Sequence, residues 1–582
     1  MHRSVQVTGG AGFIAHRLHA SVVVGASALW LAVNARWLAV YRSSGLLNID
    51  ESGYTGIAAI YYLSGQARGL GGWLDAVLGP GIQAPLTTAV TSVIYQVTGP
   101  RLVAGFVVVL ACGLATVLLT AAVAGRVAGR TAGWIAAIVM GTTPLLLDYS
   151  RSFAFAAPAA AVTTAAVMCL ICSDGMRRTG WALGFGLFLG LMPLTRTMTI
   201  AFVPPLLVAA VLQAALPTDR VHRLVRTTAA VAVGGAVAAT WMVRNGAAVL
   251  DYLRGYGYGT HTAEYAVPGE SPWRVVADRL LNDLQLPHAT LLFAGLMAAA
   301  ITVALQARTV GLRRTATSIV ASPLLPPVVL TIGGFAALSS SSTTGSGFDL
   351  PLVPGIVLIA TWGLTRATRW MRHRPRATVL GLAVALAAIP GFVPSADLAL
   401  AGGGTETSLP VLGRVVVTDG AGLMFHYEAA GLGDPSLTRP WSTSDERRWV
   451  TLSGVILEDI LEQPVVPRTA FAFRHYLLNV NTVQLSALTT LRRGLELVQI
   501  DPISVGSSEA SYDTWLTTGA ASSSCILLTA GGGVDEFPPF VDESAMERTA
   551  TSSGFVVRNQ HPLPDGRTAT LWSRNTPQCA KG

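Results

Sequence analysis

Lysine is almost missing from this chain: of 40 lysines and arginines, only Lys581 is a lysine. Nearly every positive charge is therefore a guanidinium, which keeps its proton and grips oxyanions through a planar fork of donors. Charge of either sign is scarce. Asp, Glu, Lys and Arg make up 12% of the residues, against about a quarter in soluble domains. Hydrophobic residues make up 51%, and the mean hydropathy is +0.51. That balance excludes a soluble enzyme. Cysteine is sparse as well, five in 582 residues. Cys112, Cys169 and Cys172 lie in apolar segments, and Cys169-x-x-Cys172 reads as helix filler rather than a redox or zinc pair. Cys525 and Cys579 can pair if the C-terminal region lies outside the cytoplasm.

What the chain does have is a series of apolar segments of bilayer-spanning length. They run at about Leu18–Tyr41, Leu102–Gly125, Thr131–Asp148, Phe153–Ser173, Trp181–Leu194 and Thr197–Leu216, then about Thr227–Val243, Ala289–Gln306, Thr317–Leu338, Leu350–Thr365 and Ala377–Val393. The expectation is an α-helical polytopic membrane protein of about eleven spans, preceded by a cytoplasmic tail, residues 1–17. That tail contains Val7-Thr8-Gly9-Gly10-Ala11-Gly12-Phe13-Ile14, which resembles the phosphate-binding turn of nucleotide-sugar epimerases. The fingerprint needs a strand–turn–helix unit and a second strand carrying an acid. A span begins by Leu18, so the match reads as chance.

Charge divides the chain unevenly. Residues 399–582 hold 19 acids and 13 bases, whereas the rest holds 13 acids and 27 bases. The pI near 9.5 thus belongs to the membrane part, where it reports topology and not nucleic-acid binding. The pairs Arg126/Arg130 and Arg177/Arg178, the triads Arg220/Arg223/Arg226 and Arg308/Arg313/Arg314, and the run Arg366–Arg376 all fall on one side. By the positive-inside rule that side is cytoplasmic. The loop 42–100, the Tyr252–Pro287 loop, the Ser339–Gly347 loop and everything after Phe392 are then extracytoplasmic. Residues 399–582 read as a soluble α/β domain on that face. Strands are expected at Val411–Val417, Cys525–Thr529 and Gly554–Val557, a helix over Arg474–Leu497, and a hairpin turn at Leu563–Arg567.

Two adjacent carboxylates, Asp50 and Glu51, sit where the chain leaves the first span. Ionised groups at a membrane boundary are costly to desolvate and are usually kept for a task; the alternative is that Asp50, or Ser52, simply caps the next helix. Four arginines lie on the same outer face: Arg151, Arg196, Arg244 and Arg254. Each can snorkel to the interface; together they suit a lipid phosphate. If a sugar arrives on a polyprenyl phosphate, arginines stabilise the charge growing on the leaving phosphate and a carboxylate accepts the acceptor's proton. Tyr54, Tyr256 and Tyr258 are candidate substrate contacts. His261 and Glu264, as His-x-x-Glu, are the candidate ligands of a divalent metal. The competing class is a transporter or flippase passing an anionic lipid-linked substrate, which calls for broken helices or internal repeats; no clear repeat is found. A third class is an inactive scaffold whose outer domain binds a partner.

In four places the chain resembles the GT-C glycosyltransferases, in the branch of protein O-mannosyltransferases and aminoarabinose transferases. Asp50-Glu51 is similar to the acid pair of that branch's first outer loop. Gly184–Arg196 resembles its glycine-rich helix ending in Thr-Arg. Trp241–Asn245 followed by Tyr252–Gly259 resembles its Trp-x-x-Arg-Asn … Tyr-Gly passage, and Phe348–Pro354 its Leu-Pro-x-x-Pro helix start. The resemblance implies a GT-C-like membrane domain over 18–398 and an inverting sugar transfer from a polyprenyl-phosphate donor. The acceptor would be a hydroxyl on a glycan, lipid or protein at the outer face of the cell membrane. Asp50 is then the catalytic carboxylate with Glu51 beside it, and Arg196 and Arg244 are candidates for the lipid phosphate. Two departures stand out: Phe153–Pro158 lacks an expected acid, and the Ser339–Gly347 loop lacks an expected base.

Overall fold

The computed structural model describes residues 9–259, 261–262, 271–342, 345, 347–368, 373–395, 405–410, 413–418, 443–462, 468–501, 508–530, 543–575 and 579. Helices come first: α1 (Gly9–Tyr41), α2 (Ile49–Val77), α3 (Leu86–Thr98), α4 (Leu102–Ala128), α5 (Arg130–Gly141), α6 (Pro144–Tyr149), α7 (Ala156–Cys172) and α8 (Thr179–Thr195). They continue as α9 (Val203–Ala214), α10 (Arg220–Tyr258), α11 (Pro272–Val310), α12 (Leu312–Val320), α13 (Leu325–Ser339), α14 (Val353–Ala367) and α15 (His373–Ser395). Gly9 to Ile14 lie inside α1, so the epimerase-like stretch forms no phosphate-binding turn.

Among the described residues six helices are long and apolar enough to cross a bilayer, or seven if the bent pair α12 and α13 is one span. The expectation of eleven counted shorter pieces. Ala156–Cys172 and Thr179–Thr195 are apolar but short, and Thr131–Asp148 is split into α5 and α6 at Thr142-Thr143, with Pro144 opening the second helix. Thr317–Leu338 turns through 93° between Val320 and Leu325. The glycines of α8 have a packing reason. A Cβ on Gly186 would strike Ala230 O, and one on Gly190 would strike Gly234 O. Small residues thus let α8 and α10 touch backbone to backbone, as membrane helices do at close crossings.

The arginine-rich ends of α7–α8 and α9–α10 meet. Arg177 lies 3.9 Å from Asp174 and 4.0 Å from Asp219, and Arg226 donates to Arg177 O at 2.7 Å. Two of the loops assigned to one side therefore do share one end of the bundle.

The C-terminal region holds β1 (Thr405–Leu409), β2 (Gly413–Thr418), α16 (Thr443–Leu461), β3 (Thr469–Phe471), α17 (Val480–Thr490), β4 (Leu497–Gln499), α18 (Glu509–Thr517), β5 (Ile526–Ala530), α19 (Glu543–Ser552), β6 (Val556–Pro562) and β7 (Thr568–Ser573). Strands β1 and β2 pair antiparallel and lean on α11, where Val416 N donates to Asn282 at 3.2 Å. The other five form one sheet in the order β4-β3-β5-β7-β6, parallel at β4-β3-β5 and antiparallel beyond. One face buries Trp449, Ile456, Phe473 and Val483; the other buries Tyr512, Trp515 and Met546. Leu563–Arg567 is the β6–β7 turn, with Gly566 at φ +90° and Leu563 N donating to Arg567 O. Cys525 and Cys579 form a disulfide. The expected helix over Arg474–Leu497 starts only at Val480. Asn479 caps it, accepting from Asn481 N and Thr482 N, and the preceding residues form a loop.

Candidate active site

The first turn of α2 sets the geometry. Asn48, extended, is the cap: its side chain accepts from Glu51 N at 2.9 Å, and Glu51 reaches back to Asn48 N at 3.5 Å. This reciprocal box satisfies donors that a helix start leaves open. Neither Asp50 nor Ser52 is the cap. Ser52 donates instead to Asn48 O at 2.8 Å.

Adjacent helical residues point about 100° apart, and the two acids meet opposite surroundings. Glu51 is fully buried. Arg42 Nη2 donates to its Oε2 at 2.7 Å, and Phe153 N donates to Oε1 at 2.9 Å. Glu51 thus ties together the end of α1, the cap of α2 and the approach to α7. Both of its carboxylate oxygens are thereby engaged by the protein, beside Asp50. Glu51 also supplies an acid at Phe153, where the sequence itself carries none.

Asp50 is open to solvent, yet burial dominates its ionisation and raises its carboxyl above the usual range. Arg196 opposes this, Glu51 adds to it, and Arg474 of the C-terminal domain opposes it. Accessible area alone would make Asp50 a surface group. Solvent reaches the side chain, yet dense protein surrounds it. Tyr54, one turn on, stacks on Phe155 with ring centroids 4.1 Å apart.

Arg196 leaves the end of α8 in an extended conformation. Its Nη1 donates to Gly347 O at 3.0 Å, and its guanidinium lies over the Phe348 ring at 4.3 Å. Gly347 sits at φ +68°, and a Cβ there would strike Tyr149, so glycine is needed where this loop crosses the site. Tyr149, Tyr54, Asp50 and Tyr252 act on Arg196 through their charges or hydroxyls. Asp349, two residues beyond Gly347, is buried under the influence of Arg279 and Arg196. Asp50, Tyr54, Tyr149 and Tyr252 therefore all lie near enough to Arg196 to act on its charge, as Arg279 and Arg196 do on Asp349.

The other expected residues lie elsewhere. Arg151 is fully buried, donates Nε to Asn34 at 2.7 Å and lies over the Trp37 ring at 4.5 Å; it binds α1 rather than facing Asp50. Arg244 and Arg254 occupy exposed positions on α10 and are absent from the charges acting on Asp50. In the Trp241–Asn245 passage the contacts inward come from buried Trp241 and from Asn245. Asn245 accepts from Gly81 N at 2.9 Å and donates to Gly79 O at 3.2 Å, pinning the α2–α3 loop. Tyr256 stacks with His261 at 4.5 Å and touches Tyr252 at 4.6 Å, while Tyr258 hydrogen-bonds Ser340 at 2.8 Å. Glu264 lies outside the described residues. Among the described residues no three His, Cys, Asp or Glu side chains gather as a metal site.

Sequence reasoning missed Arg279 and Arg474. Arg279 sits seven residues into α11, with no motif around it. Arg474 follows Phe473 in a segment read as helix, hundreds of residues from Asp50. Neither position carries a local signal.

Residues 82–243 match the family described as dolichyl-phosphate-mannose-protein mannosyltransferase. That stretch includes Arg151 and Arg196 and leaves Asp50 outside. No curated protein matches. Two solved structures are similar across nearly the whole chain, both of ArnT from Cupriavidus metallidurans at 15% identity and a TM-score of 0.56. The apo form covers 94% of this chain and 98% of that one; the form bound to undecaprenyl phosphate covers 97% and 98%. The resemblance to the GT-C superfamily is thereby borne out, as is a largely helical membrane fold carrying a C-terminal α/β region.

Proposed function

We propose that this protein transfers a sugar from a polyprenyl-phosphate donor to an acceptor hydroxyl at the outer face of the membrane, with inversion at the sugar carbon. The observation that carries the reading is that Asp50, open to solvent, lies near enough to Arg196 for each to act on the other's charge. The acceptor oxygen gives its proton to the Asp50 carboxylate as it bonds to the anomeric carbon. The bond from that carbon to the phosphate oxygen breaks on the opposite face, and the polyprenyl phosphate leaves with the bonding pair. Arg196, always cationic and held by Gly347 O and Phe348, stabilises the charge that grows there. Burial helps the base: a carboxylate whose pKa is raised takes a proton more readily than an ordinary Asp.

The likeness to a structure bound to undecaprenyl phosphate supports a lipid phosphate as the donor's anchor. The family matched by residues 82–243 supports a glycosyl group as cargo. The Cys525–Cys579 disulfide favours an oxidising compartment for the C-terminal domain, and the arginine loops at the other end favour the cytoplasm there. Transport draws less support. Among the described residues one helix pair is sharply bent, and it breaks at residues 321–324, one short helix away from Arg313 and Arg314.

The test is transfer of label from radiolabelled polyprenyl-phosphate sugars to membrane acceptors by reconstituted protein. Asp50→Asn is expected to lower it by about 10²–10⁴-fold, the usual contribution of a general base. Undiminished transfer would overturn the assignment.

A further inference from the structure

The C-terminal domain does more than cover the membrane part. Its helix α17 lies against α2, and Asn481 Nδ2 donates to Ile49 O at 2.9 Å, on the residue before Asp50. The fit is close: a Cβ on Gly53 would lie 2.9 Å from that same Nδ2, and one on Gly56 3.7 Å from Leu488. Leu488 is buried with Ala58, Ala59 and Tyr62 of α2, and Leu46 is buried with Trp449 and Leu452 of α16. Glu446 of α16 is raised by burial and lowered by a hydrogen bond to Ser44 and by the Arg42 charge. Two helices of the domain thus hold residues 44–58 from both sides.

The loop before α17 is built as firmly as the helix. His475 stacks on Trp449 at 4.9 Å, and its Nδ1 accepts from Leu477 N and Leu478 N, each at 3.2 Å. Asn479 donates to His475 O at 2.8 Å while capping α17. Arg474 is the residue before this knot, so its backbone is fixed on the side of the domain that meets α2.

We propose that Arg474 is a positioning residue of the transfer site: the docked domain, held to the residue before Asp50 by Asn481, presents the Arg474 guanidinium to the Asp50 carboxylate. This rests on the reading of Asp50 as the base. Among the described residues, the charged and titratable groups acting on Asp50 or acted on by it are Arg196 at the end of α8, Glu51 and Tyr54 on its own helix, and Arg474 from the domain. Glu51 is held by Arg42 and Arg196 serves the leaving phosphate. Arg474 is the remaining cation that opposes burial. An opposite charge nearby favours the ionised carboxylate. Removing it raises the pKa of Asp50, so the base form appears only at higher pH and the acid limb of the rate profile moves up.

The experiment uses the full-length protein in nanodiscs and, as donor, the polyprenyl-phosphate sugar fraction extracted from membranes of [14C]glucose-fed source cells. Transfer is measured across pH for wild type, Arg474→Gln, Arg474→Lys and Asp50→Asn. The expected result is an acid limb shifted upward by roughly 0.5–1 pH unit in Arg474→Gln. It should have a reduced kcat below the midpoint, KM for the lipid fraction changed less than threefold, and the wild-type profile restored in Arg474→Lys. An unshifted limb, or an equal loss at every pH that Arg474→Lys does not rescue, overturns the proposal and assigns Arg474 to docking alone. Full transfer by Asp50→Asn overturns the base assignment, and this proposal with it. Abolished transfer in Asp50→Asn with an unshifted Arg474→Gln overturns only the inference.

Discussion

The first turn of α2 and the outer half of α10 carry the same kinds of residue and use them differently. Both stand on the same expected face, and both hold charges among tyrosines. On α2 Glu51 turns into Arg42 and Phe153, and Asp50, open to solvent, lies near Arg196. On α10 the arginines 244 and 254 face outward, while Trp241, Asn245 and Val249 turn in. A charge near a membrane surface is therefore not yet a site. The helix face that meets a neighbour decides, and on α10 the neighbouring loop claims an asparagine.

The largest test of this contrast is functional. Arg196→Gln should cost transfer about 10²–10³-fold, the loss seen when a donor to developing charge is removed. Arg244→Gln and Arg254→Gln, measured in the same assay, should stay within about threefold, as exposed side chains that snorkel. A loss at Arg244 as large as at Arg196 would erase the distinction.

Next comes the split between the two acids. Glu51→Ala leaves Arg42 buried without its carboxylate, which should destabilise the protein by about 3–5 kcal/mol. Thermal unfolding in detergent should read this directly, with Asp50→Asn unfolding near the wild-type temperature. Equal unfolding temperatures for the two variants would mean that Glu51 is not the tie described.

Sequence pattern reached some of this and stopped at identifiable points. The segment ending in Thr195-Arg196, the Leu-Pro turn at 350–352 and the hairpin at Leu563–Arg567 are local features, and local chemistry forecasts them. The cap of α2 was harder, because Asn48, Asp50 and Ser52 are all good caps and only Glu51 at the third helical position selects Asn48. The direction of Arg151, and its bond to Asn34, depends on how α1 crosses its neighbours. The approach of Arg474 to Asp50 depends on a domain folding back across the whole chain, and no periodicity encodes that.

A smaller effect is expected at the docking contact. Asn481→Ala should cost roughly 1 kcal/mol, as for one net hydrogen bond, and hydrogen exchange should show faster opening at residues 46–56 without unfolding of the membrane helices. Protection unchanged there would mean that Asn481 contributes nothing to the grip.

Acid should loosen the same grip gradually. Burial, then Arg567, pushes His475 down to about 4, with Asp565 opposing. The unfolded chain then binds the proton more readily than the folded one, so stability rises with pH in this window. It is fully present above about pH 6.5, the ordinary histidine value, and falls as the pH drops toward about 4. Chemical unfolding followed by fluorescence of Trp449 and Trp515 measures it; His475→Gln should flatten the slope.

The central claim is that Asp50 and Arg196 face one leaving phosphate. A cryo-EM map of the full-length protein with undecaprenyl phosphate addresses it directly. The account predicts phosphate density within hydrogen-bond distance of Arg196, about 2.7–3.2 Å, on the side that faces Asp50. Density seated on Arg244 and Arg254, with none at Arg196, would contradict it.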